Sequence, residues 1–250
     1  MTDILSLGSC LNGKTAIVSG ASSGMGEAIA HALAEAGVKL VIAARRKDKL
    51  AAVAGEINAK GKGQALAVPA DATSEADVAN LFQKAHAHLG SLDLLVNVAG
   101  VAQATRIEDM SYDEWRTVLD ASITSVFLTG REAFRIMKTQ QRGRIISIGS
   151  ISAKMPRMGA VAYVAAKFGL DGMNRAMGLE GREYGITCTV IHPGFTATGF
   201  GPDAGVKPGP ESLDPRDVAR LVLLAADLPD EANMLDSTII PIGQPFLGRG

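Results

Sequence analysis

Seven short apolar runs alternate along this chain with alanine-rich segments of helical period. The runs are apolar at consecutive positions rather than at every second position, which is typical of parallel strands buried on both faces. Strands that alternate with helices indicate a doubly wound, parallel α/β sheet. The predicted strands are residues 15–19, 39–44, 64–70, 92–99, 143–149, 186–191 and 237–242.

Helix boundary signals are frequent, but no linker divides the chain into separate domains. Ser111 begins a capping-box pattern, and Asp214 before Pro215 predicts an N-cap and a first helical residue. The one irregular stretch, residues 199–214, is rich in Gly and Pro. We therefore predict a single Rossmann-like domain over residues 1–250. A (β/α)₈ barrel is the alternative, but seven strands and a glycine-rich first turn favour the open sheet.

The charge and cysteine content exclude several classes of function. The formal net charge is −1, from 25 basic and 26 acidic residues, which does not favour nucleic acid or an anionic membrane as a partner. Cys10 and Cys188 have no metal-ligand spacing, so we predict no metal site and a reducing, cytoplasmic location. No apolar run is long enough to span a bilayer, and residues 1–14 do not resemble a signal peptide.

The turn after the first strand, GASSGMG at residues 20–26, matches two competing motifs. GASSG fits the G-x-S-x-G turn of serine hydrolases, which would also need an acid and a histidine such as His192. The same glycine spacing before a helix allows the backbone and the helix N-terminus to bind a phosphate. We favour the phosphate interpretation and keep the hydrolase as an alternative. The predicted phosphate contacts are Gly20, Ser22, Ser23, Gly24, Met25 and Gly26.

Further motifs follow in a fixed order along the chain. They are SGASSGMG (19–26), NVAG (97–100), YVAAK (163–167) and HPGFTAT (192–198), with Ser150 thirteen residues before Tyr163. Together they resemble the short-chain dehydrogenase/reductase family over essentially the whole chain. The resemblance implies a nicotinamide cofactor and hydride transfer between an alcohol and a carbonyl compound.

The chemistry of the YVAAK segment supports this interpretation independently. Tyr163 and Lys167 are four residues apart, so they share one face of a helix. A phenol with an ordinary pKa of about 10 is a weak base near neutral pH, and a nearby ammonium lowers that pKa. Tyr163 can then act as a general acid or base, while Ser150 hydrogen-bonds the same substrate oxygen. We also expect Tyr163 and Lys167 to contact the nicotinamide ribose.

One departure from the family pattern concerns the chemistry directly. Residues 121–127 read ASITSVF, and the family has an asparagine where this chain has Ser122. In the family that asparagine holds a water that links the lysine to solvent. A hydroxyl both donates and accepts, so Ser122 can serve a relay of shorter reach, or it can merely satisfy local backbone.

The end of the second strand, KLVIAARRKDKL, predicts the cofactor. An NAD enzyme normally places an acidic residue there to accept from the adenosine ribose, whereas this chain has Ala44 followed by Arg45 and Arg46. A guanidinium suits a ribose 2′-phosphate, and a missing carboxylate removes a repulsion, so we predict NADP(H) with Arg45 foremost. The resemblance implies further cofactor contacts at Asp71, Ala72, Asn97, Ala99, Gly100, Pro193, Gly194, Phe195 and Thr198.

The substrate should bind outside the carboxyl ends of the strands, between residues 151–161 and a substrate loop at about 195–213. The methionines and phenylalanines of these segments predict a largely apolar pocket, and Arg157 can meet an anionic group. The candidate substrate contacts are Ser152, Met155, Arg157, Phe195 and Phe200.

These features predict an NADP(H)-dependent enzyme that interconverts a ketone or aldehyde and an alcohol. Its partner would be a small molecule, and the resemblance implies a homo-oligomer, a tetramer or a dimer. An NADP(H)-binding sensor on the same fold is the other alternative, since it would need the cofactor site but not the tyrosine.

Overall fold

The computed structural model describes residues 8–98, 100–101, 104–198 and 205–245, and the strands of these ranges form one open sheet. All strand pairs are parallel, and the spatial order is β3-β2-β1-β4-β5-β6-β7. The predicted doubly wound sheet is confirmed, and the barrel alternative is wrong. The strands are β1 Thr15–Ser19, β2 Lys39–Ala44, β3 Gln64–Pro69, β4 Leu94–Asn97, β5 Gly143–Ile148, β6 Ile186–Pro193 and β7 Asp236–Ile239.

Helices cover both faces of this sheet. They are α1 Gly24–Glu35, α2 Lys47–Lys60, α3 Glu75–Leu89, α4 Tyr112–Leu119, α5 Ser125–Gln140, α6 Val161–Gly181 and α7 Pro215–Ala226. Successive strand residues point to opposite faces, so Ala16 and Val18 of β1 pack with α1, α2 and α7, whereas Ile17 packs with α3 and α5. Each face of the sheet therefore has its own apolar core.

The predicted helix starts are confirmed by their caps. Ser111 and Glu114 form both bonds of a capping box before α4, and the Asp214 carboxylate accepts from the N–H of Arg216 at the start of α7. A π-helical segment, Asp120–Thr124, joins α4 to α5. Such single π turns inside longer helices are frequent at functional sites.

The last strand ends earlier than predicted. β7 stops at Ile239, although the apolar pattern continues to residue 242. Pro241 has no N–H to donate to a neighbouring strand, and Ile242 is 94% exposed. The last residues of this apolar run therefore lie outside the sheet.

The strand order creates a crevice at the centre of the sheet. The chain leaves β3 at one edge and returns to the middle as β4, next to β1. Ser19 and Asn97, which end β1 and β4, are partners in the register. Such a switch point at the carboxyl ends of the strands is where ligands bind in this architecture. Among the described helices, none combines the length and hydropathy that a bilayer crossing requires.

Candidate active site

The turn between β1 and α1 lies at this switch point, and each of its glycines has a steric reason. Gly20 and Gly24 have φ angles of 71° and 58°, in the left-handed region that side chains rarely adopt. A Cβ on Gly24 would also lie 2.9 Å from the Cβ of Thr198. A Cβ on Gly26 would overlap the carbonyl oxygen of Gly20. The turn therefore brings bare backbone and the start of α1 close together.

The two serines of this turn are held by an arginine. Ser23 precedes α1 but does not cap it with its side chain, so the first N–H groups of the helix keep their capacity to bind an anion. The Arg46 guanidinium donates to Ser22 Oγ at 3.0 Å and to Ser23 Oγ at 2.5 Å. Sequence reasoning put Arg45 foremost, whereas the structure places Arg46 directly on the glycine turn.

Arg45 interacts with Asp71 rather than with the glycine turn. It is exposed, and its positive charge acts on Asp71. The N–H of Thr73 holds the pKa of Asp71 below its ordinary value against the effect of burial, and the Thr73 hydroxyl and Arg45 add to that lowering. Ala72 is partly buried beside them, and Ala44 offers no carboxylate. The end of β2 is therefore a strongly cationic rim around the crevice.

Ser150, Tyr163 and Lys167 come together at the carboxyl end of β5. Lys167 is only 2% exposed, and its Nζ donates to the carbonyl oxygen of Ile148 at 2.9 Å. The same Nζ lies 5.6 Å from the centre of the Tyr163 ring. The Ser150 side chain hydrogen-bonds the Tyr163 phenol. The structure thus brings the three predicted side chains into one group.

The pKa values of this group differ from those expected. Burial raises the pKa of Tyr163 above its ordinary value of 10, and the Ser150 hydrogen bond and the Arg157 charge oppose it only in part. Burial also lowers the pKa of Lys167 from 10.5 to about 8. Lys167 is not among the groups that act on the pKa of Tyr163 in this structure, so the lowering of the tyrosine pKa by Lys167 stays a prediction.

Comparison with known proteins identifies the family. The family model for short chain dehydrogenases matches residues 14–206, a range that holds the glycine turn, Ser150, Tyr163 and Lys167. This chain belongs to the short-chain dehydrogenase family.

Individual relatives agree with that assignment. An uncharacterised oxidoreductase of Staphylococcus aureus is 34% identical over 233 residues, which are 93% of this chain and 99% of the relative. The 3-oxoacyl-[acyl-carrier-protein] reductase of Escherichia coli is 37% identical over 186 residues, 74% of this chain and 75% of the relative.

Solved structures of the family superpose closely. An alcohol dehydrogenase of the archaeon Thermococcus sibiricus, complexed with 5-hydroxy-NADP, matches with a TM-score of 0.87 at 25% identity, over 92% of this chain and 97% of that chain. A metagenomic short-chain oxidoreductase in complex with NADP matches with a TM-score of 0.82 at 31% identity, over 92% of this chain and 98% of that chain.

Ser122, the departure of this short-chain dehydrogenase from the family pattern, lies in the π-helical segment. It is fully buried, and within the described part of the chain its Oγ has no hydrogen-bond partner. A Cβ on Gly100 would lie 3.3 Å from Lys167 Nζ and 3.6 Å from Ser122 Oγ, so these two polar atoms flank the same small space. The alternative that Ser122 satisfies local backbone is not seen.

The Asn97 side chain faces the protein interior. It is 1% exposed, and its Oδ1 accepts from Thr129 Oγ1 at 2.8 Å and from Ser19 Oγ at 3.4 Å. These bonds tie β4 to β1 and α5. The Asn97 Nδ2 has no hydrogen-bond partner among the described residues, so the side chain keeps a donor, and both cofactor contacts predicted for Asn97, through side chain and backbone, stay predictions.

The segment after β6 meets the glycine turn. Beyond Pro193, the N–H groups of Gly194 and Phe195 are bonded to Ile239 O at 2.7 Å and Gln244 Oε1 at 2.8 Å in the following C-terminal segment. These bonds fix the backbone that carries Thr198 towards the turn. The predicted cofactor residue Ala99 and the predicted substrate residue Phe200 lie outside the described residues.

On the substrate side, Arg157 and Met155 are exposed, as a pocket lining requires. The Arg157 guanidinium lies 6.0 Å from the centre of the Tyr163 ring, and no ion pair to it is found among the described residues. Ser152 is buried, and its N–H donates to Ser150 Oγ at 3.1 Å. The Ser152 backbone therefore supports Ser150, and the predicted substrate contact of Ser152 stays a prediction.

The hydrolase alternative would need a histidine next to Ser22 or Ser23. Both hydroxyls instead accept from Arg46. His192 lies elsewhere, fully buried, with Nδ1 2.9 Å from the carbonyl oxygen of Ser150. Among the described residues no hydrogen bond joins a histidine to either serine, so the hydrolase constellation does not form.

Sequence reasoning missed two charged residues on α6, Asp171 and Arg175. They continue the four-residue spacing of Tyr163 and Lys167, and that spacing was the signal that could have found them. The Asp171 carboxylate lies 3.4 Å from Nε2 of His192. The face of α6 that carries the tyrosine and lysine therefore extends towards β6 and β7.

A cavity of about 580 Å³ lies at the opposite, amino-terminal edge of the sheet. Its charged side chains are bonded to protein groups: Asp93 to Arg142 at 3.3 Å, and Arg144 to the carbonyl oxygens of Leu228 and Ala232 at 3.2 Å. We assign it no part in the reaction, because its volume is remote from the carboxyl ends of the strands.

Proposed function

We propose that this short-chain dehydrogenase is an NADP(H)-dependent oxidoreductase that interconverts a ketone or aldehyde and an alcohol. The carrying observation is the group of Ser150, Tyr163 and Lys167 beside the glycine turn. A partly buried phenol bonded to a serine hydroxyl and backed by a buried amine has few structural uses, since burying such polar groups is costly. It suits proton transfer to an oxygen that is being reduced.

The residues at the switch point fit a dinucleotide. The glycine turn admits close backbone approach, and the uncapped start of α1 offers N–H groups to a pyrophosphate. Asp71 with Ala72 would flank the adenine, and the backbone of Asn97 and Gly100 the adenosine. Phe195 and Thr198 would hold the carboxamide.

Arginines favour the phosphorylated cofactor. Ala44 presents no carboxylate to repel a 2′-phosphate, and Arg45 and Arg46 are both close to where the adenosine ribose of such a cofactor would lie. Arg46 already binds the Ser22 and Ser23 hydroxyls, so the serines and the guanidinium form one polar patch. NADP complexes of two structural relatives support the same choice.

The mechanism follows from the pKa directions. NADPH, when bound, supplies the hydride to the carbonyl carbon. Ser150 Oγ donates a hydrogen bond to the carbonyl oxygen, and Tyr163 Oη gives that oxygen its proton. Because burial raises the pKa of Tyr163, the phenol stays protonated near neutral pH, which suits reduction. Alcohol oxidation needs the phenolate, so its rate should rise with pH.

Lys167 and Ser122 would return the proton to Tyr163. Burial brings the pKa of Lys167 to about 8, so the amine can gain and lose a proton in the working range. The unpartnered hydroxyl of Ser122 flanks the same space as the amine and can pass a proton on.

The first test follows NADPH absorbance against a panel of ketones and aldehydes, with NADH in parallel. Tyr163→Phe should abolish turnover and leave the NADPH Kd nearly unchanged, because only the proton donor is removed. Tyr112→Phe, an exposed tyrosine on α4, is the matched control and should turn over normally. Normal turnover by Tyr163→Phe would refute the mechanism. Tight NADPH binding without any turnover in the wild type would favour the sensor.

A second test addresses the cofactor. Arg45→Ala and Arg46→Ala should each weaken NADPH about tenfold or more while changing NADH little, because only NADPH carries the 2′-phosphate. Lys47→Ala, the exposed next residue, is the control. Equal losses for both nucleotides would contradict the NADP(H) assignment.

We also propose that the enzyme is a homo-oligomer, a tetramer or a dimer, in the cytoplasm. Helices α5 and α6 expose Phe127, Phe168 and Leu179, and exposed apolar clusters mark subunit contacts. The two free thiols suit a reducing compartment. Light scattering after size exclusion should give a tetramer or a dimer for the wild type and a smaller species for Phe168→Asp. A monomeric wild type would contradict the proposal.

A further inference from the structure

We propose that His192 is a positioning residue for Ser150, and that its ring packs against Asp171 on the helix that carries Tyr163. The inference deepens the proposed function, since it assigns a role in the same site. Neither His192 nor Asp171 touches the reacting atoms, so both act through the residues they hold.

His192 is built into the backbone at the end of β5. It is fully buried, and its Nδ1 lies 2.9 Å from the carbonyl oxygen of Ser150. Nδ1 also lies 3.4 Å from the backbone nitrogen of Ser150, but its contact to the carbonyl oxygen is shorter and a carbonyl only accepts, so we assign the proton to Nδ1 as the donor. A Cβ on Gly149 would lie 2.7 Å from this Nδ1, so the imidazole fills space that only a glycine leaves. The contact fixes the peptide that follows Ser150.

The other face of the imidazole meets α6. His192 Nε2 lies 3.4 Å from Asp171 Oδ1, and the second carboxylate oxygen of Asp171 accepts from Arg175 at 3.2 Å. Asp171 is four residues after Lys167 and eight after Tyr163, so all three lie along one face of α6. One chain of contacts therefore joins the Ser150 backbone to the helix of the proton donor.

The chain of contacts closes on itself. Arg175 also donates to Asp236 at the start of β7, at 2.7 Å, and Lys154 lies 3.5 Å from the same carboxylate. Lys154 follows Ser150 by four residues, so both ends of the short segment after β5 are held. The ring His192, Asp171, Arg175, Asp236 and Lys154 thus clamps this segment against β6, β7 and α6.

Burial keeps His192 neutral near neutral pH. Burial lowers its pKa below 6.5, the Ser150 carbonyl opposes that, Lys154 adds to the lowering, and Asp171 and Asp236 oppose it. A neutral ring with its proton on Nδ1 turns a lone pair towards Asp171, and in the described structure neither Nε2 nor Asp171 Oδ1 has a hydrogen bond. The hydrogen bond from Nδ1 to the Ser150 carbonyl is therefore the polar contact that fixes the ring of His192.

The consequence concerns the direction of the Ser150 hydroxyl. Ser150 Oγ must meet both the Tyr163 phenol and the substrate oxygen, and it is aimed by a backbone whose carbonyl His192 holds. Loss of that hold should misplace the hydroxyl, and small misplacements at a reacting centre cost up to about a hundredfold in rate. The glycine turn is not part of the ring, so cofactor affinity should not change.

Two substitutions separate positioning from stability. His192→Leu should lower kcat about tenfold to a hundredfold with the NADPH Kd within about twofold. His192→Asn should keep most of kcat, because its amide N–H can still donate to the Ser150 carbonyl. Cys188→Ala, a buried position earlier on β6, is the control and should lower Tm without lowering kcat.

Equal losses in His192→Leu and His192→Asn, or a loss of kcat that only follows Tm as in Cys188→Ala, would overturn the proposal. A readout independent of turnover is the ¹⁵N spectrum of the imidazole, assigned with His192→Asn. We expect a neutral ring with the proton on Nδ1. A proton on Nε2 would overturn the positioning role even if no substrate is found, whereas a wild type without turnover but with the Nδ1 proton would count only against the proposed reaction.

Discussion

Lys167 should reduce the stability of the fold whose reaction it serves. Burial lowers its pKa from 10.5 to about 8, and at about 1.4 kcal/mol per pKa unit this difference corresponds to about 3 kcal/mol for keeping the ammonium charged in the folded protein. Lys167→Met keeps the length of the side chain and removes the charge. It also leaves the Ile148 carbonyl without its donor, which costs about 1–2 kcal/mol.

We therefore expect Lys167→Met to raise the free energy of unfolding near neutral pH by about 1–2 kcal/mol. For a chain of this size that is a rise of about 2–8 °C in Tm. Turnover should be lost in the same variant, because Tyr163 loses the group that returns its proton. The variant would be more stable and inactive.

The stability of the wild type should rise with pH in alkaline solution because of Lys167. The pKa of Lys167 is lower in the folded than in the unfolded state, so the unfolded chain binds more protons between about pH 8 and pH 10.5. The wild type should gain stability as pH rises through that window, and Lys167→Met should lack this gain. Urea unfolding at about pH 7 and about pH 10 measures both, with Lys84→Met, an exposed lysine on α3, as the control. A Lys167→Met protein that is less stable near neutral pH, or keeps the wild-type pH slope, would refute the reasoning.

Three further predictions concern single side chains. Ser122→Asn restores the family residue beside Lys167 and should raise kcat and shift its pH profile at saturating NADPH; an unchanged profile would argue against a relay through Ser122. Arg157→Met should lower kcat/KM about tenfold for a keto acid but little for its neutral ester, since a charge-assisted bond is worth at least that much, and equal losses would remove Arg157 from substrate recognition. Burial lowers the pKa of His192 below 6.5, so just below pH 6.5 the unfolded chain binds more protons than the folded protein. The wild type should therefore lose stability as pH falls below about 6.5, and His192→Asn should lose less. The same fall of Tm with pH in both proteins would contradict this.

The strands were predictable because their signal is local. A strand buried on both faces is apolar at consecutive positions, and each predicted run contains most of an observed strand. The glycine turn was predictable for the same reason, since the left-handed φ angles of Gly20 and Gly24 can be inferred from the residue type alone. β7 was overextended because an apolar pattern cannot show where a neighbouring strand stops pairing.

The site was only partly predictable, because its details depend on contacts that are distant in sequence. Arg46 contacts Ser22 and Ser23, which are distant from it in sequence, only because β1 and β2 are neighbouring strands. The Asn97 Oδ1 is bonded inside the protein because α5 brings Thr129 against it. The spacing of Tyr163 and Lys167 placed both residues on one face of α6, but it could not show the burial that raises the pKa of the tyrosine and lowers that of the lysine. Each miss therefore follows from tertiary packing rather than from a misread motif.

The four-residue spacing on α6 connects the predicted catalytic residues to the strands of the sheet. Tyr163 and Lys167 lie on one face of the helix, and Asp171 and Arg175 continue that face to β6 and β7. A proton donor and a hydrogen-bond donor that must reach the same substrate oxygen both have to be held within about 0.5 Å of the productive geometry. Two separate elements, α6 and the end of β5, carry these donors. A buried imidazole that donates to the Ser150 carbonyl and packs against Asp171 of α6 bridges these two elements.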